Sequence, residues 1–76
     1  MKYRVVFEFQ SEDSAMSDVY NCKDEQAALD KFEELRDSLV HAVDAAGCEV
    51  IDEPEHYSVI DRGAGIYGYV RLLKED

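Results

Sequence analysis

Few residues in this 76-residue chain have the types and spacing that catalysis or metal binding requires. The densest group of potential ligands is Asp52-Glu53-Pro54-Glu55-His56, which lacks the fixed ligand spacing of a calcium or zinc motif. We interpret it as a solvated turn, and the sequence leaves open whether the turn binds a cation. No serine lies in a nucleophile motif. The sequence predicts no catalytic residue, no metal ligand and no cofactor, so we expect a protein that is not an enzyme.

The two cysteines suggest either a disulfide or a reactive thiol. The segment between Cys22 and Cys48 is predicted below to be mostly helix, which carries the chain tens of ångströms at about 1.5 Å per residue. The two sulfurs are therefore expected near opposite ends of the domain, and we predict no disulfide. Neither cysteine has an obvious neighbouring base, so each is interpreted as a small buried or edge thiol.

Residues 63–68, GAGIYG, match the glycine pattern by which dinucleotide-binding proteins hold a pyrophosphate. That pattern requires a helix N-terminus directly after the glycines, whereas here they precede a predicted strand. We therefore interpret Gly63 and Gly65 as the positive-φ residues of a hairpin turn. Gly68, inside the strand, indicates either a bulge or the close approach of another side chain.

The segment Tyr67-Gly68-Tyr69-Val70 resembles the middle of the RNP1 motif of RRM domains, whose exposed aromatic residues stack on RNA bases. The resemblance covers eight residues, and Leu72 stands at the position of the last aromatic. Because the chain has a net charge of -10, phosphate attraction is opposed. We predict no direct binding of nucleic acid and assign Tyr67 and Tyr69 to cross-strand packing or a protein interface.

The periodicity of apolar residues predicts a short list of elements. Residues 2–10 alternate, with Tyr3, Val5, Phe7 and Phe9 on one face, as in a half-buried strand. From Lys23 to Ala46 the period becomes helical, with Asp24 and Glu25 suited to the N-terminus and Gly47 to the C-terminal stop. One stripe of that helix contains its apolar residues Ala28, Phe32, Leu35, Leu39, Ala42, Val43 and Ala46, flanked by Leu29 and Val40. Further strands are predicted at 15–22, 48–52, 56–61 and 66–73.

These elements predict one α+β domain over residues 1–76, in which a single long helix packs on a mainly antiparallel sheet of four or five strands. The order is β-β-α-β-(β)-β, because residues 48–61 form either two strands with a turn at Pro54 or one bent strand. We favour the turn. The last strand is apolar on both faces, and one helix covers only one of them, so self-association or a protein partner is expected to cover the other.

Charge is the strongest signal in the composition, with 18 acidic and 8 basic residues. Such a surface repels phosphate backbones and anionic membranes and attracts basic proteins. No apolar run approaches the roughly 18 to 20 residues of a membrane span, and the first residues do not have the pattern of a signal peptide. We therefore expect a soluble, cytoplasmic protein that does not bind membranes.

On the outward side of the predicted helix, opposite Phe32 and Leu39, acidic residues form a ridge: Asp30, Glu33, Asp37 and Asp44, with Glu34 and His41 beside it. Two of the axial gaps are about 4.5 to 6 Å, against roughly 3.4 Å per phosphate of one DNA strand. Additional carboxylates at Asp24, Glu25, Asp52, Glu53 and Glu55 are candidates to extend the ridge. The alternative is an ordinary polar helix face, on which Lys31 and Arg36 pair with the acids and His41 has no function.

In size, acidity and architecture the chain resembles the small acidic inhibitors encoded by phages and mobile elements, including anti-CRISPR proteins. That resemblance implies a non-enzymatic inhibitor that mimics nucleic acid and engages the basic surface of a nucleic-acid-handling complex. The charge pattern and the tyrosines supply the candidate partner-binding residues, which are Asp30, Glu33, Glu34, Asp37, Asp44, Tyr67 and Tyr69. The alternative is an oligomeric structural or regulatory domain, such as a homodimer, that assembles through its tyrosine-bearing sheet face.

Overall fold

The computed structural model describes residues 2–43 and 48–75. It contains one helix and five strands in the order β-β-α-β-β-β, which confirms the α+β class. The elements are β1 (Lys2–Gln10), β2 (Ala15–Cys22), α1 (Glu25–Ala42), β3 (Glu49–Glu53), β4 (His56–Asp61) and β5 (Ile66–Glu75).

All five strands belong to one antiparallel sheet with the spatial order β2-β1-β5-β4-β3. The first and last strands of the described chain, β1 and β5, are therefore neighbours, and β5 is the central strand of the sheet. The edges are β2 and β3. Helix α1 lies across one face of the sheet and packs on β5, β1 and β2.

The alternation predicted for β1 determines which of its side chains enter the core. Val5 and Phe7 are buried beneath α1, where they oppose Leu72 and Val70 of β5. Tyr3 and Phe9, two positions to either side, pack against the same cluster. The prediction that these four residues share one face is confirmed, because side chains two apart on a strand point to the same side.

Helix α1 begins two residues into its predicted range. Asp24 is the N-cap, in extended conformation, and its Oδ1 accepts a hydrogen bond of 2.8 Å from the backbone N–H of Ala27. Glu25 adds a negative charge in the first turn, where the helix dipole favours it. The prediction that the acids near residue 24 start the helix is confirmed, but the helix begins at Glu25 rather than Lys23.

The C-terminal end of α1 differs from the expectation. The helix ends at Ala42, and the C-cap Val43 is extended, with φ -123° and ψ 122°. The prediction that the helix continues to Ala46 was therefore wrong. Gly47, which was predicted to stop the helix, lies outside the described residues. Ala42 is exposed rather than buried, since it lies on the flank of the buried stripe formed by Ala28, Phe32 and Leu39. Leu35 and Leu29 are partly buried, and Val40 is exposed.

Two hairpins build the second half of the sheet. Residues 54–55 form the turn that joins β3 to β4, so the chain from 48 to 61 contains two strands, as favoured. Residues 62–65 join β4 to β5, and Oδ1 of Asp61 accepts a 3.2 Å hydrogen bond from the N–H of Ala64. Among the described residues only Gly65 has a positive φ, of 68°. The prediction that Gly63 also has a positive φ in this turn was therefore wrong. Strand β5 continues to Glu75 rather than ending at Leu73.

Gly68 allows α1 to lie close to the sheet. It pairs regularly with Phe9 on one side and Val59 on the other, so the strand has no bulge there. A Cβ atom at this position would lie 2.8 Å from Cδ2 of Leu39 and 3.4 Å from Cδ2 of Phe9. The close approach inferred from the glycine is therefore confirmed, and it occurs at the fully buried Leu39 of the helix.

We predict that Gly68→Ala lowers the free energy of unfolding by about 1–3 kcal/mol, because the added methyl forces the buried Leu39 side chain out of its place. Urea denaturation monitored by circular dichroism measures the change. Gly63→Ala is the matched control, since its Cβ would meet only Oδ1 of Asp61 at 3.6 Å and its φ is not positive. The control should stay within about 0.5 kcal/mol of the parent. Equal effects of the two changes would contradict the packing argument.

A second prediction concerns the N-cap. Asp24→Ala removes the acceptor for the Ala27 N–H and should cost roughly 0.5–2 kcal/mol of stability, whereas Asp24→Asn keeps a capping oxygen and should cost less. Thermal unfolding followed at 222 nm compares the two variants. If asparagine and alanine were equally destabilising, the cap would not be acting through its hydrogen bond.

Candidate functional site

We use the term acidic helix face for Asp30, Glu33, Glu34 and Asp37 on α1. All four side chains are exposed, on the side of the helix opposite the buried Phe32 and Leu39. The amphipathic pattern that fixes the core contacts thus turns these carboxylates outward. Asp44, the fifth predicted acid, lies outside the described residues.

Glu34 differs from the other three acids because its charge is paired. Nζ of Lys31 lies 3.0 Å from Oε2 of Glu34 and also 4.7 Å from the centre of the Tyr20 ring on β2. The hydrogen bond with Glu34 raises the pKa of Lys31, so the amine stays protonated at neutral pH. Lys31 therefore neutralises the margin of the face that adjoins β2.

The centre of the acidic helix face keeps its charge. Among residues 2–43 and 48–75, no lysine or arginine forms an ion pair with Asp30, Glu33 or Asp37. Asp30 accepts a 2.9 Å hydrogen bond from Nε2 of Gln26, which is neutral and leaves the carboxylate charge in place. The local pairing expected of Lys31 is therefore present, whereas that expected of Arg36 is not found in the described part of the chain.

His41 closes the C-terminal end of this surface. Its Nδ1 lies 2.7 Å from the backbone oxygen of Asp37, a contact in which the ring nitrogen donates and the carbonyl accepts. The ring is exposed and sits in the last turn of the helix, where a positive charge is favoured by the helix dipole. The His41 ring thus bonds back to its own helix and adds no carboxylate to the acidic helix face.

The acids proposed to extend the face are partly neutralised at its N-terminal end. Nζ of Lys74, at the end of β5, lies 3.3 Å from Oε1 of Glu55 in the β3–β4 turn. Hydrogen bonding to Glu55 raises the pKa of Lys74, and the charges of Glu55 and Glu25 raise it further. A single lysine therefore lies within the field of both carboxylates. Asp24 and Glu25 remain exposed, but the line of uncompensated charge does not continue through Glu55.

The tyrosines lie elsewhere. Their register on β5 places Tyr67 and Tyr69 on the side of the sheet away from α1, because Gly68, Val70 and Leu72 face the helix. We call this side the open sheet face. The six predicted partner-binding residues that the structure describes therefore do not form one surface, since the four acids of α1 and the two tyrosines lie on opposite sides of the molecule.

An aromatic group lies at the centre of the open sheet face. The rings of Tyr67 and Tyr69 meet edge to face at 5.8 Å, and His56 of β4 stacks on Tyr69 at 6.1 Å between ring centres. Tyr69 lies between Glu8 of β1 and Ser58 of β4, and Ser58 is buried. Burial, followed by the negative charge of Glu8, raises the pKa of Tyr69, so its hydroxyl remains protonated at neutral pH.

Sequence reasoning missed Glu8, His56 and Ser58 as neighbours of Tyr69. They come from strands that are distant in sequence and are brought together by the order β1-β5-β4. The available signal was period-two alternation, which places each residue on a face but does not say which strands are adjacent.

Metal and thiol chemistry find no site in the described part of the chain. No three His, Cys, Asp or Glu side chains in residues 2–43 and 48–75 are placed to hold a metal ion, and this includes the turn at 52–56. Cys22 and Cys48 are not joined by a disulfide. They belong to opposite ends of the strand order, as the long intervening helix predicted.

A pocket of about 390 Å³ lies at the end of the sheet where β1 begins. Its wall contains the ion pair of Arg4 and Glu75, at 3.2 Å, together with Lys2 and Lys23. Because this pocket mixes both signs of charge, at the end of the sheet where Lys2, Arg4 and Glu75 border the open sheet face, we assign it no role.

In the described residues, no helix has the length and apolar character needed to cross a bilayer. Comparisons of the chain with protein-family models, with curated proteins and with solved structures find no match.

Proposed function

We propose that this protein is a non-enzymatic acidic binding module that inhibits a nucleic-acid-handling complex by occupying its basic surface. The observation that carries the proposal is the group of three exposed carboxylates, Asp30, Glu33 and Asp37, which lie together on α1 without a lysine or arginine partner in the described chain. A charged surface left uncompensated by its own protein is available to neutralise a surface of opposite sign.

Electrostatics favours a basic partner. The whole chain has a formal net charge of -10, which attracts a positively charged protein over roughly the Debye length of 8–10 Å at physiological salt. The acidic helix face then provides the contact. Its carboxylates are fixed to a capped helix that packs on the sheet, so binding requires little ordering of the backbone.

The spacing of the acids favours a surface that normally binds nucleic acid. Asp30, Glu33 and Asp37 are about 4.5 and 6 Å apart along the helix axis, a sparse version of the roughly 3.4 Å phosphate repeat of one DNA strand. Lysine and arginine groups that neutralise a row of phosphates therefore find a row of carboxylates instead. A partner of this kind places the protein in the cytoplasm.

The proposal predicts that the triple variant Asp30→Lys, Glu33→Lys and Asp37→Lys loses binding to its partner by at least about 100-fold, because attraction becomes repulsion at the contact. The partner is first captured from the native cell on the immobilised chain and identified by mass spectrometry. Its affinity for each variant is then measured by biolayer interferometry with the purified complex.

The matched control reverses three exposed acids that lie outside α1: Glu12, Asp13 and Asp18. Both triple variants change the net charge from -10 to -4, since each reversal adds two units, so only position differs between them. The control should retain binding within about tenfold, and parent affinity should fall as salt increases. Equal losses in the two triples, or affinity that is indifferent to salt, would rule out the acidic helix face as the contact.

A further inference from the structure

The open sheet face carries exposed apolar side chains from one edge of the sheet to the other. Val19 on edge strand β2 is 54% exposed, Ile51 on edge strand β3 is 47% exposed, and Tyr67 on the central strand β5 is 36% exposed. The register places further apolar residues between them on the same face, namely Val6, Ile60, Tyr69 and Leu73. Exposed apolar side chains grouped on one face of a sheet, here interspersed with polar ones, are typical of an interface.

We propose that the open sheet face is the interface of a homodimer, with a second copy of this chain as its occupant. This inference goes beyond the proposed function, which uses the other side of the molecule.

Charge favours a second copy over a basic or a nucleic-acid partner. The open sheet face has three cationic residues, Lys2, Arg4 and Arg71, and its four acids are Glu8, Glu49, Glu53 and Glu75. Its formal charge is therefore 3 - 4 = -1, against -10 for the whole chain. Two copies can meet here without bringing their acidic helix faces together. A strongly charged partner of either sign would find little to neutralise.

The size of the face suits a weak but specific dimer. Five strands at about 4.8 Å, with roughly 20 Å of shared length, give a patch of about 500 Å² per copy, or about 1,000 Å² in total. That total lies at the lower end of specific protein interfaces, which begin at about 1,000–1,200 Å². We therefore expect association in the micromolar range rather than an obligate dimer.

The arrangement of side chains on β5 favours antiparallel packing about Tyr69. Tyr67 and Arg71 lie two residues to either side of Tyr69 on the same face. With the two central strands antiparallel, Arg71 of each copy lies against the partner's Tyr67, where a cation–π contact forms. Parallel packing would instead set the two Arg71 guanidinium groups against each other.

Sedimentation equilibrium of the parent protein and two single variants tests the proposal. Ile51→Lys places a charge on the open sheet face, whereas Val50→Lys alters the adjacent residue of the same strand, which points to the other side and is 43% exposed. The parent should equilibrate between 8.7 kDa and twice that mass. Ile51→Lys should raise the dissociation constant at least tenfold, and Val50→Lys should leave it within about threefold.

Salt separates this proposal from the proposed function. Because dimerisation brings together two chains of like net charge through a nearly neutral face, added sodium chloride should strengthen it, while it should weaken binding to a basic partner. Urea denaturation confirms that the lysine variants fold. A monomer at about 200 µM in both 0.15 M and 0.5 M salt, equal effects of the two variants, or a different protein occupying the open face would overturn the homodimer.

Discussion

The structure depends on one geometric constraint, which is that a single helix about 10 Å wide must provide the core for a five-stranded sheet about 24 Å wide. The helix meets this constraint by packing very close to the backbone of the sheet. Leu39 of α1 reaches the backbone of β5 at Gly68, where no side chain intervenes, and Phe32 fills the core above β1 and β5. The buried apolar residues of the helix lie on one side, and its other side carries mostly polar residues, with Val40 exposed among them.

The same constraint divides the surface into two regions of different character. The helix side carries the exposed carboxylates Asp30, Glu33 and Asp37, which have no lysine or arginine partner among the described residues. The open sheet face instead combines apolar and aromatic side chains with charges of both signs that nearly cancel. Since the sheet lies between them, the two regions can act independently. The inhibitory contact that we propose and the proposed association of two copies use different residues.

Much of the fold could be predicted from the sequence because local periodicity determines it. The alternation of residues 2–10 and the helical stripe at Phe32 and Leu39 each gave the correct element and buried face. The end of α1 was not predictable from the stripe, because Val43 is also buried although it is extended. The separation of the acids from Tyr67 and Tyr69 required the strand order, which depends on long-range pairing between β1 and β5. The sequence contained both sets of candidate residues but not their placement on opposite sides.

The acidic residues on the edge strands of the sheet affect whether further strands can be added there. Strand β3 is exposed along its whole length and bears the acids Glu49, Asp52 and Glu53, and strand β2 bears Asp18. An edge strand exposes unpaired backbone groups that can template another strand, but repulsion between rows of negative charge opposes such pairing. Growth of the sheet into a fibril is therefore disfavoured at the β3 edge, whereas the β2 edge carries the single acid Asp18. The acidic β3 edge thus makes open-ended, strand-by-strand addition of copies unfavourable compared with closed assemblies.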